Sequence, residues 1–317
     1  MEYIILILSL AGIVFGANFL VNGSVVIARK FKVSDFVIGA VIVGIGTSTP
    51  ELVVSFLGAL KGNADVAIGN VVGSNIFNVL GILGLTAVLF PIAVDRCNMK
   101  FEIPLCVIVS IVLAVLVYNF FNGQPPEISR PDGIVLLALF AFFMWYSFYR
   151  DKNIDVPAAD EDLPHDGSPL WLAIIMVAGG LAALVTGCDL FVDNAVSLAR
   201  SYGVNDAFIS LTLIACGTSL PELAASMAAA IKKNTQMALG NIIGSNIFNI
   251  TLILGLCAQV RPLTSSDITG TDYIVMIAAA VIPMIFGFSG RIGRLGGAVM
   301  FLSYVAYSWY LVNTQMS

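Results

Sequence analysis

The chain has 317 residues, of which 58% are hydrophobic and only 11% are charged. Apolar stretches of about 20 residues, long enough to cross a ~30 Å hydrocarbon core, follow one another from end to end and indicate an integral membrane protein. The net charge of −5 does not suggest nucleic-acid binding, and the single histidine, His165 in a polar segment, excludes histidine-based metal or triad chemistry inside the membrane.

The apolar stretches predict an all-α fold with ten transmembrane helices. The first stretch follows Met1-Glu2, which are not basic, and it is too long for the apolar core of a signal peptide, so we expect it to be retained. Residues 151–168 are acidic, contain proline and lack periodicity, which is typical of a solvated linker between residues 1–150 and 169–317. The predicted helices are 3–29, 35–60, 66–90, 101–120, 132–150, 169–200, 206–231, 236–260, 272–290 and 295–313.

The two five-helix units are copies of one sequence. Gly69–Asn78 returns as Gly240–Asn249, and Gly46–Glu51 returns as Gly217–Glu222, both at an offset of 171 residues. From Gly46 to Asn78, 19 of 33 positions are identical in the second copy. A shared lipid-facing composition explains matched Leu and Val, but it does not explain matched Gly, Pro, Glu, Ser and Asn.

The distribution of positive charge predicts the orientation of the helices. Eleven of the fifteen Lys and Arg residues lie in the loops after the odd-numbered predicted helices. The positive-inside rule then places both termini outside and the acidic linker in the cytoplasm. Because each copy has an odd number of helices, the second copy starts on the opposite side of the membrane, as in the inverted repeats of secondary transporters.

The phrase Gly46–Glu51 interrupts the second predicted helix and supplies oxygen ligands. Pro50 has no N–H and leaves the carbonyl of Gly46 without its helical partner. The carboxylate of Glu51 would be costly if it faced lipid. The second, third, seventh and eighth helices, which carry the repeated phrases, are predicted to be broken. The candidate ligands around these breaks are Thr47, Ser48, Glu51, Thr218, Ser219 and Glu222.

Oxygen-only ligand sets suit hard cations, and calcium takes ~6–8 oxygens at ~2.3–2.6 Å. If Glu51 and Glu222 each bind through both carboxylate oxygens, the carbonyls of Thr47 and Thr218 would complete a set of about six. Two carboxylates also neutralise one divalent ion. The sequence therefore predicts a site for transported ions, and no cofactor.

The other repeated phrase lies in the third and eighth predicted helices. Ser74 and Asn78 are four residues apart and therefore share a helix face, as do Ser245 and Asn249. We predict that these side chains line the ion site; the alternative is hydrogen bonding between helices. The paired glycines of the phrase allow close helix packing.

Other positions in and around the phrases have weaker assignments. Asn75 and Asn246 fall off the predicted lining face and are interpreted as structural. Gly44 and Ala215 are small residues whose carbonyls are candidates for exposure to the site. Four polar positions on the first and sixth helices either line an ion path or lie near a membrane boundary: Asn18, Asn22, Asp189 and Asp193.

At these two phrases the chain resembles the sodium/calcium exchanger family of the cation/calcium antiporter superfamily, in its prokaryotic form. The two alpha-repeats of that family carry Gly-Thr-Ser-x-Pro-Glu and Gly-Asn-x-x-Gly-Ser-Asn, and the resemblance covers the whole membrane chain. It implies ten helices, one calcium site and several sodium sites at the membrane midplane, and alternating access. In such proteins the first and sixth helices are expected to slide across the remaining bundle.

The resemblance also implies a role for each matching residue. Glu51 and Glu222 correspond to the central carboxylates, and Asn78 and Asn249 to the residues that flank the central cluster. The remaining implied ligands are the carbonyls and hydroxyls of Thr47, Ser48, Thr218 and Ser219, and, at outlying sodium sites, the carbonyls of Gly44 and Ala215 beside Ser74 and Ser245.

The chain departs from the family pattern at one position. Some members carry aspartate where this chain has Asn249, so the central site has two formal negative charges here and not three. Calcium binding is still expected, whereas the sodium stoichiometry and any role for protons stay open. The linker is too short to hold the regulatory domains of animal exchangers, so regulation through such a domain is not expected.

We therefore expect a sodium-driven calcium antiporter in a prokaryotic inner membrane, which is a transporter and not an enzyme. Its partners would be calcium ions, sodium ions and the lipid bilayer, with no nucleic acid, and a monomer would be sufficient. The nearest alternative is a proton- or potassium-coupled cation exchanger. A passive cation channel and an intramembrane hydrolase are more distant, and the hydrolase lacks a plausible nucleophile–base pair.

Overall fold

The fold is taken from a computed structural model that describes residues 2–118, 127–151, 169–202, 217–264 and 268–316. Over these residues it is all-α apart from four strands of two residues each. The helices are α1 (Glu2–Phe31), α2 in two halves (Asp35–Thr47 and Thr49–Leu60), α3 (Ala64–Leu89), α4 (Asn98–Tyr118), α5 (Arg130–Asp151), α6 (Leu170–Ser201), α7 (Leu220–Ile231), α8 (Thr235–Val260), α9 (Gly270–Gly287) and α10 (Arg294–Met316).

Most of the described helices can cross a membrane. By length and composition eight of them are long and apolar enough, and the bent pair that forms α2 gives a ninth. The seventh predicted helix, 206–231, is described only from Gly217 onward, and its apolar part, Leu220–Ile231, is shorter than a full span. An integral membrane protein built from apolar helices is thus confirmed, and the count of ten helices stays a prediction.

The predicted break in the second helix is present. Ser48 (φ −79°, ψ 10°) leaves the helical conformation, and the two halves of α2 meet at a bend of 49°. Pro50 lies in the first turn of the second half, where its missing N–H removes no helical hydrogen bond. In the second copy, Ser219 (φ −92°, ψ 7°) is likewise non-helical and precedes α7, and Pro221 lies in the first turn of that helix. The residues just before Gly217, where the other part of that break is predicted, lie outside the described ranges.

The predicted breaks in the third and eighth helices need correction. α3 and α8 are each uninterrupted and contain a π-helical segment, Phe77–Leu83 in α3 and Asn249–Ile253 in α8. The repeated phrase here has no proline, so no backbone N–H is missing, and a local shift to i→i+5 hydrogen bonds replaces a break. Asn78 lies in the first segment and Asn249 begins the second.

The same turn precedes α3 and α8. Asn63 caps α3 by accepting a hydrogen bond from the backbone N–H three residues on at 3.2 Å, and Asn234 caps α8 in the same way at 3.0 Å. The residue before each cap has positive φ, 77° at Gly62 and 60° at Lys233. The two sequence copies therefore fold alike at this turn.

α1 and α6 pack along each other through glycines. Ser9 lies against Gly187, Gly16 against Gly180, and Gly23 against α6 near its first residues, so the two helices run antiparallel. Small residues let the two backbones approach closely.

α3 and α8 form the buried centre of the bundle. In their most apolar stretches 78% and 89% of the residues are buried, against 33% or less in α1, α5, α6, α9 and α10. The first half of α2 packs tightly on α8, since a Cβ on Gly240 would lie 2.2 Å from the carbonyl oxygen of Phe36 and one on Gly244 would lie 2.5 Å from Cα of Ala40. The packing role predicted for these two glycines is therefore confirmed.

The four short strands link the two sequence copies. β1 (Ile92–Ala93), after α3, pairs antiparallel with β4 (Arg291–Ile292), after α9. β2 (Glu127–Ile128), before α5, pairs antiparallel with β3 (Leu263–Thr264), after α8. Each pair joins one strand of the first copy to one strand of the second.

Candidate ion-binding site

Two glutamates lie in the buried centre of the structure. Glu51 is in the first turn of the second half of α2, Glu222 is in the first turn of α7, and both side chains are fully buried. The first turn of a helix favours a carboxylate, because backbone N–H groups and the helix dipole point toward it. Within the described ranges Arg150 forms an ion pair with Glu102, and this pair involves neither of the two glutamates. Buried carboxylates without a positive partner are costly, and a bound cation would remove that cost.

Each of these glutamates is oriented by a serine from the other copy. Ser219 Oγ donates to Glu51 Oε1 at 2.9 Å, and Ser48 Oγ donates to Glu222 Oε1 at 2.8 Å. Both serines occupy the non-helical position two residues before the proline of their own copy. The crossed bonds hold one oxygen of each carboxylate and tie the two helix breaks together.

Among the buried side-chain oxygens of the described residues that have no hydrogen-bond partner, four belong to the two repeated phrases. They are Oε2 of Glu51, Oε2 of Glu222, Oδ1 of Asn78 and Oδ1 of Asn249. The second half of α2 packs against the π segment of α8, and α7 packs against the π segment of α3, so the elements that carry these oxygens adjoin one another. Buried polar atoms are rarely left unpaired. Two carboxylates and two amide oxygens form the type of ligand set that hard cations prefer.

The amide groups of Asn78 and Asn249 are each held in place by an asparagine of the other copy. Asn78 Nδ2 donates to Asn246 Oδ1, and Asn249 Nδ2 donates to Asn75 Oδ1, both at 3.1 Å. Both bonds run between α3 and α8. Asn78 and Asn249 therefore bond between helices and also keep an oxygen free, which combines the two alternatives weighed for them.

Asn70 and Asn241, for which no role was predicted, hydrogen-bond to the helix segments that follow the two breaks. Asn70 Nδ2 donates to the backbone carbonyl of Glu51 at 3.2 Å and to Ser55 Oγ at 3.0 Å. Asn241 Nδ2 makes the same two bonds in the second copy, to the carbonyl of Glu222 at 3.2 Å and to Ser226 Oγ at 2.8 Å. The sequence feature that could have identified these two asparagines is that they match at the offset of 171 residues.

The two threonines lie at the breaks, with their hydroxyl groups engaged. Thr47 Oγ1 is 3.0 Å from the carbonyl of Val43 and 3.1 Å from Asn241 Oδ1. Thr218 Oγ1 is 3.5 Å from Asn70 Oδ1. Because a hydroxyl that donates a hydrogen bond keeps its lone pairs, both the hydroxyls and the backbone carbonyls of the two threonines stay candidate ion ligands.

The predicted outlying positions adjoin the same region. Ser74 Oγ lies 3.5 Å from Glu51 Oε1, and Ser245 Oγ donates to the carbonyl of Gly44 at 3.3 Å. Ser74, Ser245 and Gly44 are buried. Ala215, the counterpart of Gly44, lies outside the described residues.

Among the described residues, the polar positions of α1 and α6 make no hydrogen bond to Glu51 or Glu222. Lys232, at the end of α7, donates from Nζ to Asn22 Oδ1 at 2.5 Å and to the carbonyl of Asn18 at 3.2 Å. Asp189 and Asp193 are exposed on α6. A lysine at a helix end is typical of a membrane boundary, so these contacts favour the boundary alternative for Asn18 and Asn22.

The chain is similar to known proteins over almost its whole length. Residues 1–149 and 172–313 match the family model described as sodium/calcium exchanger protein. Inner membrane protein YrbG of Escherichia coli (strain K12) is 36% identical over 88% of this chain and 86% of its own. Sodium/calcium exchanger MaX1 of Methanosarcina acetivorans is 33% identical over 96% of this chain and 97% of its own.

A solved structure has the same fold. It is that of the sodium-calcium exchanger NCX_Mj soaked with zero Na⁺ and Ca²⁺, and it superposes with a TM-score of 0.82 at 30% identity. The match covers 98% of both chains. The match therefore spans the helices that carry the two glutamates and the asparagines.

Proposed function

Because the chain belongs to the sodium/calcium exchanger family, we propose that it is a secondary antiporter that exchanges sodium for calcium by alternating access. Membership of this family makes it an ion transporter and not an enzyme. The observation that carries the proposal is the set of four unpartnered buried oxygens on Glu51, Glu222, Asn78 and Asn249.

The charge and chemistry of this set fit one calcium ion. Glu51 and Glu222 together carry two negative charges, which balance a divalent cation, and Asn78 and Asn249 add neutral oxygens. The backbone carbonyls of Thr47 and Thr218 bring the total to about six, the lower limit of calcium coordination. Sodium would use subsets of the same groups, with the outlying positions formed by Ser48, Ser219, Ser74, Ser245 and the carbonyls of Gly44 and Ala215.

In our proposal the two copies are inverted five-helix repeats and the whole chain has ten transmembrane helices. The antiparallel packing of α1 and α6, which are equivalent helices of the two copies, supports this arrangement. The excess of Lys and Arg in the loops after odd-numbered helices supports external termini and a cytoplasmic linker. The description of the relative YrbG as an inner membrane protein supports the same location for this chain.

Alternating access requires part of the protein to move past a fixed site. α1 and α6 suit this role, because they contact each other along their length through glycines and are largely exposed on the outer side of the bundle. α1 packs against α7, whereas its counterpart α6 scarcely touches the second half of α2. This difference between equivalent contacts fits a state that is closed on one side and open on the other.

The test is sodium-dependent calcium uptake by the purified protein in liposomes. Vesicles loaded with sodium are diluted into sodium-free buffer that contains calcium-45, and we expect uptake that requires internal sodium. Vesicles loaded with potassium or choline serve as controls, and a second series carries a pH gradient. Uptake that does not require sodium but depends on the pH or potassium gradient would indicate a proton- or potassium-coupled exchanger instead. Flux without any counter-ion would indicate a channel.

A further inference from the structure

Asn75 and Asn246, which the sequence analysis interpreted as structural, form a reciprocal pair between α3 and α8. The side-chain amide of each donates to the backbone carbonyl of the other at 3.1 Å. Both side chains are buried. Because a backbone carbonyl can only accept, each asparagine must turn its NH₂ group toward this bond and its Oδ1 away from it.

The orientation of this pair determines the orientation of the next amide on each side. With its NH₂ group committed, Asn75 offers only Oδ1 to Asn249, so Asn249 must donate through Nδ2. Asn246 offers only Oδ1 to Asn78 in the same way. The Oδ1 atoms of Asn249 and Asn78 are therefore turned away from the pair, and these are two of the unpartnered buried oxygens.

We propose that Asn75 and Asn246 are positioning residues that fix Asn249 and Asn78 with their oxygen, and not their amino group, toward the transported cation. The two ends of an amide have nearly the same shape, so packing alone distinguishes them poorly. A rotated amide would turn N–H groups toward the ion and remove a ligand. The proposal rests on the proposed ion site and adds the means by which its neutral ligands are oriented.

The geometry predicts a crossed pattern of influence. Asn75 on α3 acts on Asn249 of α8, and Asn246 on α8 acts on Asn78 of α3. Loss of a group that orients a metal ligand typically weakens metal binding by about 10–100-fold. A role in general helix packing would not select one ligand over the other, whereas orientation through one hydrogen bond does.

The test is a double-mutant cycle read by equilibrium binding of calcium-45 to purified protein in sodium-free detergent solution. We expect Asn75→Leu to raise the Kd for calcium about tenfold or more. When the same change is made in an Asn249→Ala background, it should raise the Kd for calcium by less than about twofold, because the ligand on which it acts is gone. When it is made in an Asn78→Ala background, it should again raise the Kd about tenfold. Asn246→Leu should show the opposite pattern: a large increase in Kd in the Asn249→Ala background and a small one in the Asn78→Ala background.

Equal effects in both backgrounds, or a Kd unchanged by Asn75→Leu and Asn246→Leu, would overturn the positioning role while leaving calcium exchange by the wild type intact. A wild-type protein that neither binds calcium nor exchanges it for sodium would overturn the proposed function and this inference together. Each variant is first checked for a single monodisperse peak in size-exclusion chromatography. Asn75→Ala and Asn246→Ala, which add no bulk, replace the leucine variants where those do not fold.

Discussion

At the scale of single residues, the site is made by hydrogen bonds that leave selected oxygens unused. Each glutamate accepts from a serine of the other copy through Oε1 and keeps Oε2 without a partner. Asn78 and Asn249 donate through their amino groups and keep their oxygens. All four side chains are fully buried, so these oxygens have no exposed surface and no hydrogen-bond donor in the part of the chain that the structure describes. A cation bound as we propose would satisfy them all.

Glu51→Gln is the residue-scale prediction. It keeps the shape of the side chain and removes one of the two charges, so sodium-dependent calcium uptake should fall by roughly a hundredfold or more. Removing one partner from a buried charge interaction costs on the order of 3 kcal/mol, which is roughly a hundredfold in affinity. Calcium-45 uptake in sodium-loaded liposomes measures the change.

The matched control for this prediction is Glu102→Gln. It neutralises another buried carboxylate, which pairs with Arg150 at 3.2 Å and lies on α4 outside the candidate site. The control should keep most of the uptake. Wild-type exchange by the Glu51→Gln variant would show that the carboxylate is not an ion ligand.

At the scale of helices, glycines and asparagines determine how the elements fit together. Asn70 and Asn241 bond the carbonyl at the start of a helix and a serine one turn further on, so each break is held by a neighbouring helix. Along α1 and α6 the glycines let two backbones touch. A Cβ on Gly180 would lie 2.5 Å from the backbone nitrogen of Leu20, which cannot move without moving α1.

Gly180→Ala therefore tests the contact between α1 and α6. Overpacking a tight contact costs about 1–3 kcal/mol, so we expect a lower thermal unfolding midpoint and slower exchange. The control is the next residue, because a Cβ on Gly179 meets no atom within 4 Å. Gly179→Ala should be neutral or should stabilise the helix by up to about 1 kcal/mol. Equal behaviour of the two variants in thermal unfolding and in liposome uptake would contradict the close contact.

At the scale of the whole molecule, the two copies are interlocked but do not make identical contacts. The serine–glutamate bonds, the asparagine pair and the two short sheets each join one copy to the other. The outer helices depart from the symmetry of the two copies, since Lys232 hydrogen-bonds from the end of α7 to α1 while α6 has little contact with the second half of α2. Neither copy can form the site alone.

The proposed inverted topology gives the whole-molecule prediction. A protease site placed in the linker, residues 151–168, should be cut in inverted membrane vesicles and protected in spheroplasts. Sites placed at either terminus should show the reverse, because the distribution of Lys and Arg predicts external termini. Immunoblots of the fragments measure the result. Cleavage of a terminus and the linker from the same side would mean that the two copies are not inverted.

The sequence by itself determined the membrane class, the internal repeat and the central glutamates. These follow from local chemistry: apolar length, a proline beside a buried acid, and polar residues matched at one offset. The bend in α2 was predicted correctly, because Pro50 has no N–H to donate to the carbonyl of Gly46 and is accommodated in the first turn of a new helix segment. The breaks predicted in α3 and α8 were wrong, because a phrase without proline can keep its helix by forming a π segment.

Only the tertiary structure decided which polar atoms meet. That Ser48 donates to Glu222 and not to Glu51, or that Asn75 accepts from Asn249, depends on how helices about 170 residues apart in the chain lie against each other. Matched spacing identified the residues of both copies but could not say that their bonds cross from one copy to the other. Hydrogen bonds are short and directional, so their partners are set by packing in three dimensions and not by distance along the chain.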